Sequence, residues 1–226
     1  MTCIVGVIEG EDVYLGGDSA LSTGNEVIAQ KQPKVFLNGE FLIGCAGSAR
    51  IHQLLCYAFV PPERPIAKDL QSYMATDFLD ALRKCFKDGG LAHKEAEVES
   101  YYGSILIAHR GRLFHLGSNY SLFEADCGYD AVGTGAEVAK GALYATRSLP
   151  PEKRVLLALE SAAEHVEGVR PPFTIEILHG SAVPGPEEPT EPELAEALSE
   201  PVAEPVETLV ELRDVPTTPS GEDHRS

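Results

Sequence analysis

Basic residues are scarce in this sequence. Its 226 residues include 18 lysines and arginines against 35 aspartates and glutamates, which gives a formal net charge of −17. Phosphate backbones and anionic membrane surfaces are bound mainly through lysine and arginine, so this charge balance argues against both as partners. We therefore expect no nucleic-acid partner and no membrane partner.

Long apolar runs and paired cysteine motifs are also missing. No window approaches the roughly 18 consecutive apolar residues of a membrane-spanning helix. The polar stretch at residues 10–12 interrupts the N-terminal region before a secretory signal could be completed. The five cysteines are an odd number without a C-x-x-C pair, which favours reduced, buried thiols over disulfides or a zinc site. We expect a cytoplasmic protein without a metal or other cofactor.

Composition divides the chain into two parts. Residues 181–226 contain twelve acidic residues against two arginines and hold eight of the sixteen prolines. Such a segment buries too little apolar surface to offset the entropy lost on ordering. We therefore expect one folded domain over residues 2–180, followed by a disordered acidic tail over residues 181–226.

Within the folded part, strand patterns and helix patterns alternate in blocks. β-Branched apolar runs predict two hairpins at the start, and the second of these is joined by Asn38-Gly39, a pair suited to a type I′ turn. Apolar residues at helical spacing predict two pairs of helices. The predicted strands are 3–8, 13–17, 35–37, 41–45, 104–108, 113–116, 121–125, 129–132 and 173–178, and the predicted helices are 49–59, 68–87, 136–146 and 151–166. A helix pair covers one face of a sheet, so this order predicts an α+β, four-layer αββα sandwich.

Thr2 follows the initiator methionine directly. Removal of Met1 is expected because the threonine side chain is small. The new N-terminal residue would then carry a hydroxyl nucleophile and a free α-amine, whose pKa of about 7.7–8.0 in model peptides suits a general base. The alternative is that Thr2 is simply a β-branched residue that opens a strand.

Two further polar residues are expected to lie near Thr2. Asp18 follows the second predicted strand, whose end the first hairpin brings beside the start of the first strand, and Lys34 precedes the third. A lysine beside Thr2 would stabilise an alkoxide, and an aspartate would hold that lysine in place. Taken singly, Asp18 could also be a turn residue and Lys34 a solvated strand end.

Several short motifs resemble the proteasome β-subunit family, in particular its bacterial branch, the heat-shock-locus V peptidase. The resemblance extends from Thr2 to about Leu178, and it is carried by Thr2-Cys3-Ile4-Val5-Gly6-Val7, Leu15-Gly16-Gly17-Asp18-Ser19-Ala20, Thr23-Gly24-Asn25, Pro33-Lys34-Val35, Ile43-Gly44-Cys45-Ala46-Gly47 and Ala131-Val132-Gly133-Thr134-Gly135. It implies an N-terminal nucleophile hydrolase with an αββα sandwich, which is the layer order that the strand and helix pattern predicts.

The resemblance assigns a role to each of five residues. Thr2 would be the nucleophile with its own amine as base, Lys34 the electrostatic activator and Asp18 the residue that orients the lysine. Gly44 would donate its backbone N–H to the oxyanion. Thr134 would stand where relatives usually carry a serine that hydrogen-bonds the α-amine.

The same resemblance places the specificity pocket at Leu21, Gln32, Phe36, Leu42, Ala46 and Arg50. Arg50 would favour acidic substrates or, equally, cap an exposed helix. The chain also departs from the family, because His165 and Gly168 stand where relatives carry an acid and a small hydroxyl residue. A neutral imidazole would not supply the same fixed negative charge, so these two positions weaken the case for full peptidase activity.

The resemblance implies a threonine-type endopeptidase that cleaves unfolded polypeptides inside a homo-oligomeric ring, and it leaves room for an ATP-dependent unfoldase as a partner. Two alternatives remain open from the sequence. One is a non-catalytic structural subunit on the same fold, although such relatives typically carry an N-terminal extension. The other is a small-molecule amidase or acylase that uses the same nucleophile without a chamber.

Overall fold

Two antiparallel β-sheets lie at the centre of the protein in a computed structural model that describes residues 1–23, 26–95 and 98–180. The predicted acidic tail lies outside these residues, as do Gly24 and Asn25 of one sequence motif. In the described part, the strands are β1 (Cys3–Glu9), β2 (Asp12–Gly17), β3 (Ala20–Thr23), β4 (Glu26–Ala29), β5 (Val35–Asn38), β6 (Phe41–Gly47), β7 (His93–Glu95), β8 (Val98–Ser100), β9 (Gly103–His109), β10 (Arg112–Leu116), β11 (Leu122–Glu124), β12 (Tyr129–Gly133) and β13 (Thr174–Leu178). The helices are α1 (Ala49–Tyr57), α2 (Leu70–Tyr73), α3 (Leu79–Asp88), α4 (Ala136–Ala145) and α5 (Pro151–His165), and a π-helical turn (Met74–Phe78) joins α2 to α3.

The first sheet has the strand order β12-β1-β2-β13, and α4 and α5 cover its outer face. Strand β1 is a central strand, because it pairs with β12 on one side and β2 on the other. Its alternate residues Cys3, Val5 and Val7 are fully buried against apolar residues of α4 and α5. The N-terminal strand is therefore hydrogen-bonded on both edges and packed on its outer face.

The second sheet has the order β11-β10-β9-β6-β5, and α1 together with the helical segment from α2 to α3 forms the layer outside it. A second apolar cluster lies between this sheet and these helices. A third cluster lies between the two sheets and includes Ile4 of β1 and Leu42 of β6. Two sheets with helices on both outer faces form the αββα arrangement that the sequence predicts, and the fold prediction is confirmed.

The turn at Asn38-Gly39 differs from the prediction. Asn38 pairs with Phe41, so the two loop residues are Gly39 and Glu40, and only Gly39 has a positive φ, at 59°. A type I′ turn requires positive φ at both positions, whereas positive φ at the first alone is typical of type II′. Asn38 instead donates its side-chain amide to the carbonyls of Leu55 and Phe59 at 2.8 and 3.0 Å. The type I′ prediction is therefore wrong, since Asn38 ends the strand and satisfies carbonyls at the end of α1.

Two short hairpins were not predicted, β3–β4 and β7–β8. Their strands have three or four residues and many polar side chains, so they lack the apolar alternation that indicates a strand. Among the described residues, no helix is long and apolar enough to cross a membrane.

Candidate active site

Thr2 lies just before β1, and its backbone is fixed by the turn after β12. Its N–H donates to Thr134 Oγ1 at 3.2 Å, and its carbonyl accepts from Thr134 Oγ1 at 3.3 Å and from the Gly135 N–H at 3.2 Å. The residue is only 6% exposed. The nitrogen that would become the α-amine after removal of Met1 therefore already lies beside the Thr134 hydroxyl.

Lys34 connects Thr2 to Asp18. Its Nζ lies 2.9 Å from Thr2 Oγ1 and 2.8 Å from Asp18 Oδ1, and it also donates to the Met1 carbonyl at 3.4 Å. Burial lowers the pKa of the Lys34 ammonium, while the attraction of Asp18 opposes that lowering. A cation at this place would favour negative charge on the Thr2 oxygen.

Asp18 is held by four donors. Besides Lys34, the N–H groups of Cys3 and Ala20 donate to it at 2.9 Å each, and the Arg170 N–H donates at 3.4 Å. Its side chain has no exposed surface. These bonds fix the carboxylate behind Lys34, because the donors come from β1, β3 and the segment before β13. The structure thus brings together Thr2, Asp18, Lys34 and Thr134, as their predicted roles require.

Gly133 allows β12 to approach Thr2 closely. It has a φ of 95°, and a Cβ on it would stand 2.2 Å from the Thr2 carbonyl oxygen. Both the backbone conformation and the space therefore require glycine at this position.

We expect Gly133→Ala to lower the free energy of unfolding by about 2–4 kcal/mol, from backbone strain together with overpacking against Thr2. Gly128→Ala is the matched control, since Gly128 has a φ of 73° but a Cβ added to it would meet no heavy atom within 4 Å. It should cost about 1 kcal/mol from strain alone. Urea denaturation measures both changes, and equal losses would contradict the close-approach argument.

Gly44 lies away from the site entrance. It pairs with Val35 of β5 and Leu106 of β9, so its N–H points into the sheet. A Cβ on it would stand 2.5 Å from Ile4 Cγ2, so a glycine here lets the two sheets pack. Gly47, at the end of β6, lines the same cavity as Thr2 and has a φ of 131°. The sequence offered a signal for it, because Gly47 ends the motif that contains Gly44.

A cavity of about 510 Å³ opens beside Thr2 and Lys34. Of the six residues predicted to form a specificity pocket, Leu21 and Gln32 line it. Both belong to the chain between β2 and β5, which forms one wall of the cavity. The rest of the lining comes from the end of β6 and from α1.

The other four predicted pocket residues lie elsewhere. Leu42 and Ala46 are buried between the two sheets, and Phe36 packs edge-on against His52 with ring centroids 4.9 Å apart. Arg50 donates to the carbonyl of Gly89 at 3.4 Å and lines a separate depression against α3. Ala46 stands between the cavity-lining residues Cys45 and Gly47, and because neighbouring residues of a strand face opposite sides, its side chain points into the core.

The two residues that depart from the family pattern lie in different surroundings. A Cβ on Gly168 would stand 2.2 Å from Met1 Cβ, so the Met1 side chain fills the space that a larger residue would occupy. His165 is exposed at the end of α5. Across the three described ranges, no group of three or more histidine, cysteine or acidic residues is arranged to hold a metal ion.

A scan against protein-family models found no match. Solved structures do resemble the chain. The structure of Thiobacillus denitrificans BPH in complex with epoxomicin is similar with a TM-score of 0.66 and 21% identity, over 79% of this chain and 99% of that one. Eukaryotic HslV from Trypanosoma brucei is similar with a TM-score of 0.58 and 19% identity, over 78% and 99% of the respective chains. Anbu, an ancestral β-subunit from Yersinia bercovieri, is similar with a TM-score of 0.58 and 16% identity, over 78% and 81%.

These identities are low, so what the comparisons establish is the architecture. The similarity covers nearly the full length of the BPH and HslV chains and corresponds to the sandwich described above. The chain therefore has the mixed α+β fold of the proteasome β-like N-terminal nucleophile hydrolases.

Proposed function

We propose that this protein is a threonine-type endopeptidase whose nucleophile is Thr2, exposed as the N-terminal residue by removal of Met1. The observation that carries this proposal is the contact of Lys34 Nζ with both Thr2 Oγ1, at 2.9 Å, and Asp18 Oδ1, at 2.8 Å. A buried lysine held by a buried carboxylate and directed at a hydroxyl stabilises that hydroxyl as an alkoxide.

The proposed reaction uses the free α-amine of Thr2 as the base. The amine accepts the proton of Oγ1 as this oxygen bonds to the carbonyl carbon of the substrate, and the carbonyl becomes an oxyanion. When the carbon–nitrogen bond breaks, the protonated amine returns the proton to the leaving amino group. Water then hydrolyses the resulting ester through the same base and regenerates Thr2.

Three groups assist this reaction in the proposal. Lys34 supplies the positive charge beside Oγ1, and Asp18 fixes Lys34. Thr134 accepts from the Thr2 nitrogen at 3.2 Å and so orients the amine. For the oxyanion we propose the Gly47 N–H rather than that of Gly44, because Gly47 lines the cavity.

The cellular context belongs to the same proposal. Unfolded polypeptide is the proposed substrate, the cytoplasm the proposed compartment, and a homo-oligomeric ring the proposed assembly, with an ATP-dependent unfoldase as a candidate partner. Two observations support these proposals: the sequence motifs resemble the proteasome β-subunit family, and the fold is similar to those of HslV and Anbu.

The proposal is tested by intact-mass analysis before and after exposure to epoxomicin, the compound named in the BPH complex. An epoxyketone carries two adjacent electrophilic carbons, and an N-terminal threonine carries two adjacent nucleophiles. We expect the protein to lack the mass of Met1 and then to gain the mass of one inhibitor molecule. The Thr2→Ala variant should gain none.

Two results would contradict the proposal. Retention of Met1 in the purified protein would leave the base locked in a peptide bond and would favour the non-catalytic structural subunit. An adduct that forms equally on the Thr2→Ala variant would show that another nucleophile reacts.

A further inference from the structure

The cavity beside Thr2 is lined largely by uncharged side chains that can donate or accept hydrogen bonds. These are contributed by the chain between β2 and β5, by the end of β6 and by α1, and they are Ser22, Gln30, Gln32, Ser48, Gln53 and Tyr57. Leu21 is the largest aliphatic side chain on the lining once Met1 is removed. This lining differs from an aliphatic pocket, which would select a leucine or a valine.

Among the described residues that line the cavity, no side-chain charge is left unpaired. Lys34 is engaged by Asp18 and Thr2, and the Asp18 side chain has no exposed surface. The Nε2 of His52 lies 2.8 Å from the Pro33 carbonyl oxygen, and burial lowers the pKa of this imidazole. A cationic substrate side chain would find no carboxylate on this lining, and an acidic one would find Lys34 already paired.

Several of the lining amides have unused hydrogen-bonding capacity. Gln30 and Gln32 form no side-chain hydrogen bond to any described residue, and Gln53 only accepts, from Arg50 Nη1 at 3.4 Å. Each carboxamide carries two N–H donors and a carbonyl acceptor. When a substrate displaces water from the cavity, these groups lose their hydrogen bonds unless the substrate replaces them.

We infer that the cavity selects peptide substrates whose residue on the acyl side of the scissile bond carries an uncharged carboxamide, as glutamine and asparagine do. A substrate carboxamide is both a donor and an acceptor, so it can form two reciprocal hydrogen bonds with Gln32 or Gln53. An aliphatic side chain of similar size would displace water from these groups without replacing its hydrogen bonds. Because Gln32 and Gln53 are exposed residues, the expected discrimination is that of one or two solvent-accessible hydrogen bonds. The inference rests on the proposed function for the position of the reacting bond.

The first test compares four fluorogenic peptides that differ only in the residue before the fluorophore, which is glutamine, leucine, glutamate or lysine. We expect kcat/KM for the glutamine peptide to exceed that for the leucine peptide about tenfold, the effect of one or two hydrogen bonds in a partly open site. A leucine peptide that is cleaved as fast as the glutamine peptide, or faster, would overturn the inference.

The second test alters the lining. Gln32→Glu and, independently, Gln53→Glu place a carboxylate in the cavity, so each should shift the preference from the glutamine peptide toward the lysine peptide. Gln71→Glu is the matched control, because Gln71 is an exposed residue of α2 that bonds Arg112 and does not line the cavity. Its ranking of the four peptides should equal that of the wild type. An unchanged ranking in both cavity variants would overturn the inference.

A binding measurement separates selectivity from catalysis. Thr2→Ala keeps the cavity and removes the nucleophile, so calorimetry on this variant reports affinity for the same four peptides without cleavage. The glutamine peptide is expected to bind about tenfold more tightly than the leucine peptide. If the wild type cleaves none of the four peptides, the proposed function fails. The calorimetric ranking still tests the selectivity, and equal affinities for the glutamine and leucine peptides would refute the inference.

Discussion

A Thr2→Ala variant is expected to lose peptide hydrolysis while it keeps its fold. Thr2 Oγ1 is the proposed nucleophile, and removal of a nucleophile of this kind lowers kcat by a factor on the order of 10⁴–10⁶. The fold should persist because Lys34 keeps its bond to Asp18 at 2.8 Å when the hydroxyl is absent. Hydrolysis of a fluorogenic peptide and urea denaturation, measured on the same preparation, test both parts.

Thr2→Ser is the matched control for this variant. Serine keeps the hydroxyl and, once Met1 is removed, the free amine, so we expect it to retain hydrolysis, at a reduced rate. Equal turnover by Thr2→Ala and the wild type would assign the activity to a contaminant or to another residue. Loss of activity in Thr2→Ser together with loss of stability would show that the methyl group of Thr2 supports the fold.

A Lys34→Met variant is expected to lose both activity and stability. Methionine has a similar length but no charge, so the Asp18 carboxylate would stay buried with only backbone N–H groups as partners. Breaking a buried ion pair by removing one member typically costs about 3–5 kcal/mol. Urea denaturation should show this loss, and hydrolysis should fall because Thr2 Oγ1 loses the donor at 2.9 Å.

The double variant Lys34→Met with Asp18→Asn separates the two effects. Asparagine removes the uncompensated charge, so the double variant should be more stable than Lys34→Met alone, while both remain inactive. A double variant whose loss of stability equals the sum of the two single losses would contradict the ion-pair explanation, because groups in contact should not be additive.

Much of the site follows from the sequence through simple topology. A hairpin brings the start of β1 beside the end of β2, so Thr2 and Asp18 must lie close together, and they do so through the Asp18 contact with the Cys3 N–H at 2.9 Å. The alternation of Cys3, Val5 and Val7 against Ile4 identifies a strand buried on both faces. Local pattern and global fold agree in this region.

Four of the six residues predicted to form the pocket do not line the cavity, in part because side-chain direction in a strand alternates with every residue. Cys45 lines the cavity whereas its neighbour Ala46 faces the core between the sheets. Motif spacing places both residues near the site, but it does not show which of the two side chains faces the cavity. The prediction of the turn at Asn38-Gly39 was wrong for a different reason. Asn38 pairs with Phe41 and hydrogen-bonds the end of α1, and such tertiary contacts cannot be read from the local sequence.

The central place of β1 in its sheet has a practical consequence for producing the protein. Because β12 ends opposite Cys3 and β2 ends opposite Ile4, a residue that precedes Thr2 has no strand to pair with, and it lines the cavity, as Met1 does. An affinity tag fused to the N-terminus would obstruct the cavity and block the amine in one step. Recombinant protein for activity assays is therefore best purified through a tag that follows residue 226. An N-terminal fusion is suitable if its cleavage leaves Thr2 as the first residue.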